Sequence, residues 1–154
     1  MIAVSVTKTM KELFGRVRYD SNNPEHQQKI KECASLRWHI DNIDVHLHQN
    51  RGFFVAVYKG KVIEVFQTNA VTPYITIQQA LNIPNAQYNT IIYLKNGVYR
   101  VTGFPNRSIA RPHIEDHLNA YYFINCQIAD EEIRKPLVGQ PVDIHGPVAH
   151  PDLW

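Results

Sequence analysis

Two apolar runs in the middle of the chain constrain its fold more than any other feature. They are FFVAVY (53–58) and KVIEVF (61–66), and the pair Lys59-Gly60 separates them. β-Branched and aromatic side chains favour strands, and a glycine suits the turn that joins two antiparallel strands. The pattern therefore predicts a β-hairpin over residues 53–66.

The N-terminal part of the chain predicts one strand and two helices. Residues 2–6 (IAVSV) indicate a strand, and residues 7–14 (TKTMKELF) indicate one or two helical turns. The clearest helix signal lies within residues 20–38, because Asn23 can cap the helix and Pro24 suits its first position. Apolar residues then recur at helical spacing.

The second half of the chain predicts another hairpin and two more helices. The runs TIIYL and VYRVT flank an Asn-Gly pair at 96–97, which is a strong hairpin-turn signal. Thr76 starts a capping box with Gln79, and Pro112 opens a further predicted helix. Residues 121–128 (YYFINCQI) fit either a continuation of that helix or a strand.

These elements predict an α+β fold, with a mostly antiparallel sheet of five to seven strands and two or three helices. The hairpins are too clear, and the helices too few, for a doubly wound α/β fold. We expect residues 1–135 to form a single α+β domain. Residues 136–154 contain four prolines and two glycines. This composition predicts an extended tail packed on the body or on a partner.

Charge and cysteine content narrow the function classes. The net charge is +2 in 154 residues, and the candidate cations are scattered, which argues against nucleic acid. Those cations are Lys8, Lys11, Arg16, Arg18, Arg107 and Arg111. Cys33 and Cys126 fit apolar patterns, so buried thiols are expected, with one disulfide between them as the alternative. No run is long enough for a bilayer, so we expect a soluble, cytoplasmic chain.

The alternation of residues 43–48 (IDVHLH) predicts a strand with one polar face. Asp44, His46 and His48 would share that face, at intervals of about 6–7 Å. Imidazole and carboxylate together suit a divalent transition metal such as zinc. His113, in PHIEDH, is the candidate that would complete the metal shell. The alternative is the solvated outer side of a half-exposed strand.

The stretch HLHQNRGFFVAVYKGKV (46–62) resembles the first metal motif of cupins. In that motif His-x-His precedes a glutamate, a strand, a glycine turn and a second strand. The two histidines and the hairpin match, whereas Gly52 stands about where the glutamate is expected. The resemblance implies a metal held by His46 and His48 on a strand.

Two main hypotheses about function follow, and neither assigns a catalytic residue. A third hypothesis is nucleic-acid binding through Arg16, Arg18, Arg107 and Arg111, with an affinity that falls steeply with salt. No GxSxG, Walker A or GxGxxG motif occurs. The first hypothesis is a non-enzymatic module that binds a small molecule or a protein and forms a homo-oligomer, such as a homodimer. Its aromatic strands suit pockets and interfaces. The second is a metal-dependent enzyme, cupin-like or a hydrolase, in which metal-bound water is the nucleophile.

Metal analysis of the purified, untagged protein separates these hypotheses. The binding-module hypothesis expects no cofactor, hence less than about a tenth of an equivalent of Zn, Fe, Mn, Ni or Cu after purification and attempted rebinding. Near-stoichiometric metal would support the enzyme.

Overall fold

The computed structural model of this chain describes residues 1–35, 42–76, 91–93, 98–101, 108–110 and 122–153. The helices in this part of the chain are α1 (Thr7–Phe14), α2 (Pro24–Ser35), α3 (Ile43–Gln49) and α4 (Glu131–Leu137). The strands are β1 (Ile2–Ser5), β2 (Phe53–Tyr58), β3 (Lys61–Thr68), β4 (Tyr74–Thr76), β5 (Ile91–Tyr93), β6 (Val98–Val101), β7 (Ser108–Ala110), β8 (Tyr122–Ile124), β9 (Cys126–Ile128) and β10 (Val148–Ala149).

A five-stranded mixed sheet, in the order β10-β1-β2-β3-β9, organises the described part of the chain. Strands β1 and β2 are parallel, and the other neighbours are antiparallel. The predicted α+β class is confirmed, but the prediction of a mostly antiparallel sheet is wrong. The physical reason is the long connection through α1, α2 and α3, because only a crossover of that length can place two strands side by side in parallel.

Several local predictions are confirmed. The strand near the N-terminus, helices α1 and α2, and the β2–β3 hairpin all form. The second hairpin is confirmed by the antiparallel register of β5 and β6, with Ile91 opposite Val101. Residues 121–128, for which helix and strand were both open, contain the strands β8 and β9. The helices predicted after Thr76 and from Pro112 lie outside the described residues.

The central sheet is buried on both faces. Phe54 and Ala56 of β2 face helices α1, α2 and α3, whereas Val55 and Val57 face the side covered by α4 and the C-terminal segment. All four side chains are fully buried. A strand enclosed on both faces is expected to be continuously apolar, which is why FFVAVY contains no charge.

A β-bulge interrupts the β2–β3 hairpin. Ala56 lies opposite Glu64 but Val57 lies opposite Val62, so Ile63 is the additional residue. An additional residue changes the face to which the neighbouring side chains point. Ile63 packs against the helix-covered core, and Glu64 lies on that same side, opposite Ala56. The bulge therefore places Ile63 and Glu64 on one side of the sheet, while Val62 lies on the other.

The C-terminal segment contacts the central sheet at two places, at β3 and at β1. The Val62 amide donates to the Gln140 carbonyl (2.9 Å), and β10 pairs with β1. Val142 is buried in the core that faces away from α1, α2 and α3. Helix α4 spans the boundary expected at residue 135, and the division into a domain and a tail stays a prediction.

The two cysteines are buried thiols and form no disulfide, as the apolar patterns predicted. Burial raises the pKa of Cys126 to about 12, so its thiol stays protonated at neutral pH. Among the described residues, no helix is both long enough and apolar enough to cross a bilayer.

Substitution of Gly52 tests how closely the backbone before β2 approaches Thr68 at the end of β3. It has φ +78°, and a Cβ placed on it would lie 2.6 Å from Thr68 Oγ1. We expect Gly52→Ala to lower the free energy of unfolding by about 2–3 kcal/mol, because backbone strain and overlap add. Gly15 has φ +58° but open space around it, and Gly146 has neither constraint.

The matched controls separate the two costs. Gly15→Ala should lower the free energy of unfolding by about 1–2 kcal/mol, from backbone strain alone. Gly146→Ala should change it by less than about 0.5 kcal/mol. Urea denaturation of the three variants measures the series. A Gly52→Ala variant no less stable than Gly15→Ala would contradict the close approach to Thr68.

Candidate functional site

Residues Ile43–Gln49 form helix α3, so the prediction of a strand there is wrong. The alternating pattern contains the spacing of one helical turn, because Ile43 and Leu47 are four residues apart and both are buried. Val45, which a strand would have buried beside them, is 52% exposed. The Asn50 side chain donates to the His46 carbonyl (2.7 Å) and closes the helix.

The helix places the three candidate ligands on two different faces. Asp44 and His48 share a helix face and line a cleft of about 440 Å³, where the Tyr74 hydroxyl donates to Asp44 Oδ1 (2.8 Å). His46 lies on another face and stacks on His150, with ring centroids 4.7 Å apart. Burial lowers the pKa of His150, and the neighbouring His46 lowers it further. The neutral imidazole is thereby favoured.

The predicted metal centre depended on a strand over these residues, and the helix removes that geometry. Within the described residues, no three His, Cys, Asp or Glu side chains are placed to hold one ion. The helical conformation of His46 and His48 also departs from the cupin motif, which needs a strand there. His113 lies outside the described residues, so the ligand set that includes it stays a prediction.

A second depression, hereafter the basic groove, has a volume of about 680 Å³. It is lined by residues 14–19 at and after the end of α1, and by Tyr58, Lys59 and Ile63 from the β2–β3 hairpin. Val138, directly after α4, also lines it. The groove thus lies where three separate parts of the sequence meet.

The rim of the basic groove is cationic. Arg16, Arg18 and Lys59 line it and are all exposed, and none of its lining residues is Asp or Glu. In the described part of the chain, none of these three cations forms an ion pair with a carboxylate. Gly15, with φ +58°, ends α1. The chain then turns and carries both arginines to the mouth of the groove.

The inner wall of the basic groove is aromatic and fixed in place. Phe14 is buried, and its ring meets the Tyr19 ring edge-on at 6.1 Å between centroids. His26 of α2 packs against both rings, at 5.2 Å from Phe14 and 6.3 Å from Tyr19. Tyr58 adds a half-buried ring to the lining, with Lys59 Nζ 5.3 Å from its centroid. Edge-on and stacked contacts of this kind restrict ring motion.

Behind Tyr19 lies a buried charged cluster made by Tyr19, Glu64 and Arg134. The Tyr19 hydroxyl donates to Glu64 Oε2 (2.5 Å). Arg134 donates hydrogen bonds to both carboxylate oxygens, from Nε to Oε1 (2.6 Å) and from Nη2 to Oε2 (3.0 Å). The Val65 amide adds a fourth hydrogen bond, to Oε1 (3.1 Å). The carboxylate is fully buried, so these donors replace the water that it has lost.

Two members of the cluster, Tyr19 and Arg134, have raised pKa values. Burial raises the pKa of Tyr19 above its ordinary value, and the bond to Glu64 raises it further, so the phenol stays neutral. The hydrogen bond to Glu64 likewise raises the pKa of Arg134. Tyr19 is therefore a permanent donor to Glu64, and its ring is anchored at the groove wall.

Sequence reasoning missed most of this site. Arg16 and Arg18 were noted, but as scattered surface charges, and Lys59 was noted as a turn residue. Glu64 carried a usable signal, because it is the one carboxylate within the apolar run KVIEVF. A lone acid in a strand that is otherwise buried requires a partner.

The site as a whole is an exposed cationic rim over a rigid aromatic wall on an α+β scaffold. Comparison of the chain with protein-family models, with curated proteins and with solved structures finds no match.

Arg134→Met tests the buried cluster. Arg134 is 16% exposed, and its loss would leave Glu64 charged and without its main partner. We expect the free energy of unfolding to fall by about 3–5 kcal/mol. Lys135→Met, at the exposed neighbouring position of α4, should change it by less than about 0.5 kcal/mol. Equal losses in the two variants, measured by urea denaturation, would show that the cluster contributes nothing specific.

Proposed function

We propose that the protein is a non-enzymatic binding module whose basic groove takes a small anionic molecule with an apolar or aromatic body. The observation that carries the proposal is the arrangement of Arg16, Arg18 and Lys59 around a wall made by Phe14, Tyr19 and Tyr58. Cations at the rim favour a negative group, and apolar rings below them favour a hydrophobic one.

The dimensions of the basic groove suit a small molecule. Its volume of about 680 Å³ lies within the range of roughly 300–1,000 Å³ that ligand sites occupy. Two apolar side chains at its edge, Val17 and Val138, are exposed to 60% and 41%. A ligand with a hydrophobic body would cover them, which adds a favourable contribution to binding.

The composition of the groove favours binding over catalysis. Among its described lining residues there is no Asp, Glu, His, Cys, Ser or Thr, the residues that most often act as bases and nucleophiles. The buried Glu64 cannot serve instead, because its four hydrogen bonds and complete burial keep it from a ligand.

Two other sequence-based hypotheses remain predictions. Self-association as a homo-oligomer is tested by measuring the molar mass with light scattering. A metal-dependent enzyme that uses His46, His48, Asp44 and His113 is tested by metal analysis.

A matched pair of fluorescent probes tests the proposed binding. 1-Anilinonaphthalene-8-sulfonate carries one negative charge, and N-phenyl-1-naphthylamine has the same aromatic body without it. We expect Lys59→Gln to raise the Kd of the sulfonate probe about three- to fivefold, the usual contribution of an exposed ion pair. The Kd of the neutral probe should not change, because the variant retains the apolar wall.

The control is Lys61→Gln, on the opposite side of the same turn. Lys61 is exposed but does not line the groove, so this variant removes the same charge beside the turn without changing a lining residue. Equal effects of the two variants, or a sulfonate probe that binds no tighter than the neutral one, would refute the proposal.

A further inference from the structure

We infer that the ligand of the basic groove is a nucleotide, with its phosphate at the cationic rim and its base on the aromatic wall. The inference rests on the proposed function and names the class of anion. The ligand can be a free nucleotide in solution or one nucleotide unit of a single-stranded nucleic acid, because both carry a base and a phosphate group.

The number and type of the cations point to phosphate. Three positive side chains surround one opening, and two of them, Arg16 and Arg18, are arginines. The guanidinium group binds phosphate through paired hydrogen bonds, and a lysine such as Lys59 adds a compact charge. A ligand with a single carboxylate would need only one of them. A phosphate group or adjacent phosphates can engage all three.

The aromatic wall points to a planar base. Tyr19 and Tyr58 both line the groove, and every nucleobase has a flat face that stacks on such rings. The Tyr19 hydroxyl is held by Glu64, its ring meets Phe14 edge-on, and His26 stacks on one of its faces. A ring that is already fixed loses little conformational entropy when a base stacks on it.

An aliphatic anion fits the basic groove less well. A long alkyl chain is best bound where it is enclosed, whereas Arg16, Val17, Arg18 and Lys59 are all exposed. The groove is therefore open where these residues lie, and Phe14, Tyr19 and Tyr58 add aromatic rings to its lining. This is the arrangement of proteins that bind single-stranded nucleic acid, in which a basic groove follows the backbone and aromatic side chains receive the bases.

The sequence argued against nucleic acid because its candidate cations are scattered, and the fold brings two of them, Arg16 and Arg18, into one groove with Lys59. In the sequence the cations are scattered, and Lys59 lies 43 positions from Arg16. In the structure α1 ends at Gly15 and the hairpin turns at Lys59-Gly60, and residues of both segments line the same groove. Clustering of charge on a surface, rather than total charge, decides nucleic-acid binding.

Displacement of the bound sulfonate probe by adenosine monophosphate, adenosine and ribose 5-phosphate tests the inference. We expect the nucleotide to bind at least about tenfold tighter than either fragment, because only it engages both the rim and the rings. Lys59→Gln should weaken the nucleotide about three- to fivefold, and Lys61→Gln should leave it unchanged. Tyr58→Leu should weaken the nucleotide but not ribose 5-phosphate, whereas Tyr58→Phe, which keeps the ring, should bind as the unaltered protein does.

A fluorescein-labelled single-stranded oligothymidylate distinguishes the two sources of the nucleotide. Tighter binding of the strand than of thymidine monophosphate, with log K falling against log salt at a slope of about −2 for three phosphate contacts, would identify a strand. Binding of the mononucleotide alone would identify a soluble nucleotide.

The results also separate this inference from the proposed function. In one outcome, nucleotides and oligonucleotides bind no tighter than ribose 5-phosphate, while the sulfonate probe still binds in a Lys59-dependent way. This result would overturn the inference of a nucleotide ligand and leave the proposed anion site intact. Loss of Lys59-dependent probe binding would overturn both.

Discussion

The carboxylate of Glu64, buried in the central sheet, is the interaction on which the rest of the described structure depends. A charge removed from water is strongly unfavourable unless it is paired and fully hydrogen-bonded. Tyr19, Arg134 and the Val65 amide together meet this requirement. They come from the segment after α1, from α4 and from β3 itself. One buried charge therefore fixes the position of a loop and a helix relative to the sheet.

The same constraint shapes the basic groove. Tyr19 is at once a donor to Glu64 and part of the groove wall, and Val138 follows directly on the helix that carries Arg134. Both walls are therefore set by the folded core before a ligand arrives. Preorganisation of this kind reduces the entropic cost of binding, so a modest set of exposed cations can suffice for recognition.

The sequence predicts those elements whose causes are local. The β2–β3 hairpin and helix α2 depend on turn and capping residues that are adjacent in the chain, and both form. Helix α3 was missed because a window of six residues with buried positions at Ile43 and Leu47 satisfies a strand and a helix equally. The parallel pairing of β1 with β2 depends on packing of the intervening helices, which no short pattern encodes.

The basic groove could not be predicted for a different reason. Arg16, Arg18 and Lys59 are unremarkable surface residues until the hairpin and the end of α1 are brought together. Glu64 is the exception, since an acid in KVIEVF conflicts with the apolar pattern on both sides. Hydrogen bonds resolve that conflict, because Tyr19, Arg134 and the Val65 amide together satisfy the buried carboxylate. The conflict in the strand pattern thus marks the place where the wall of the groove is anchored.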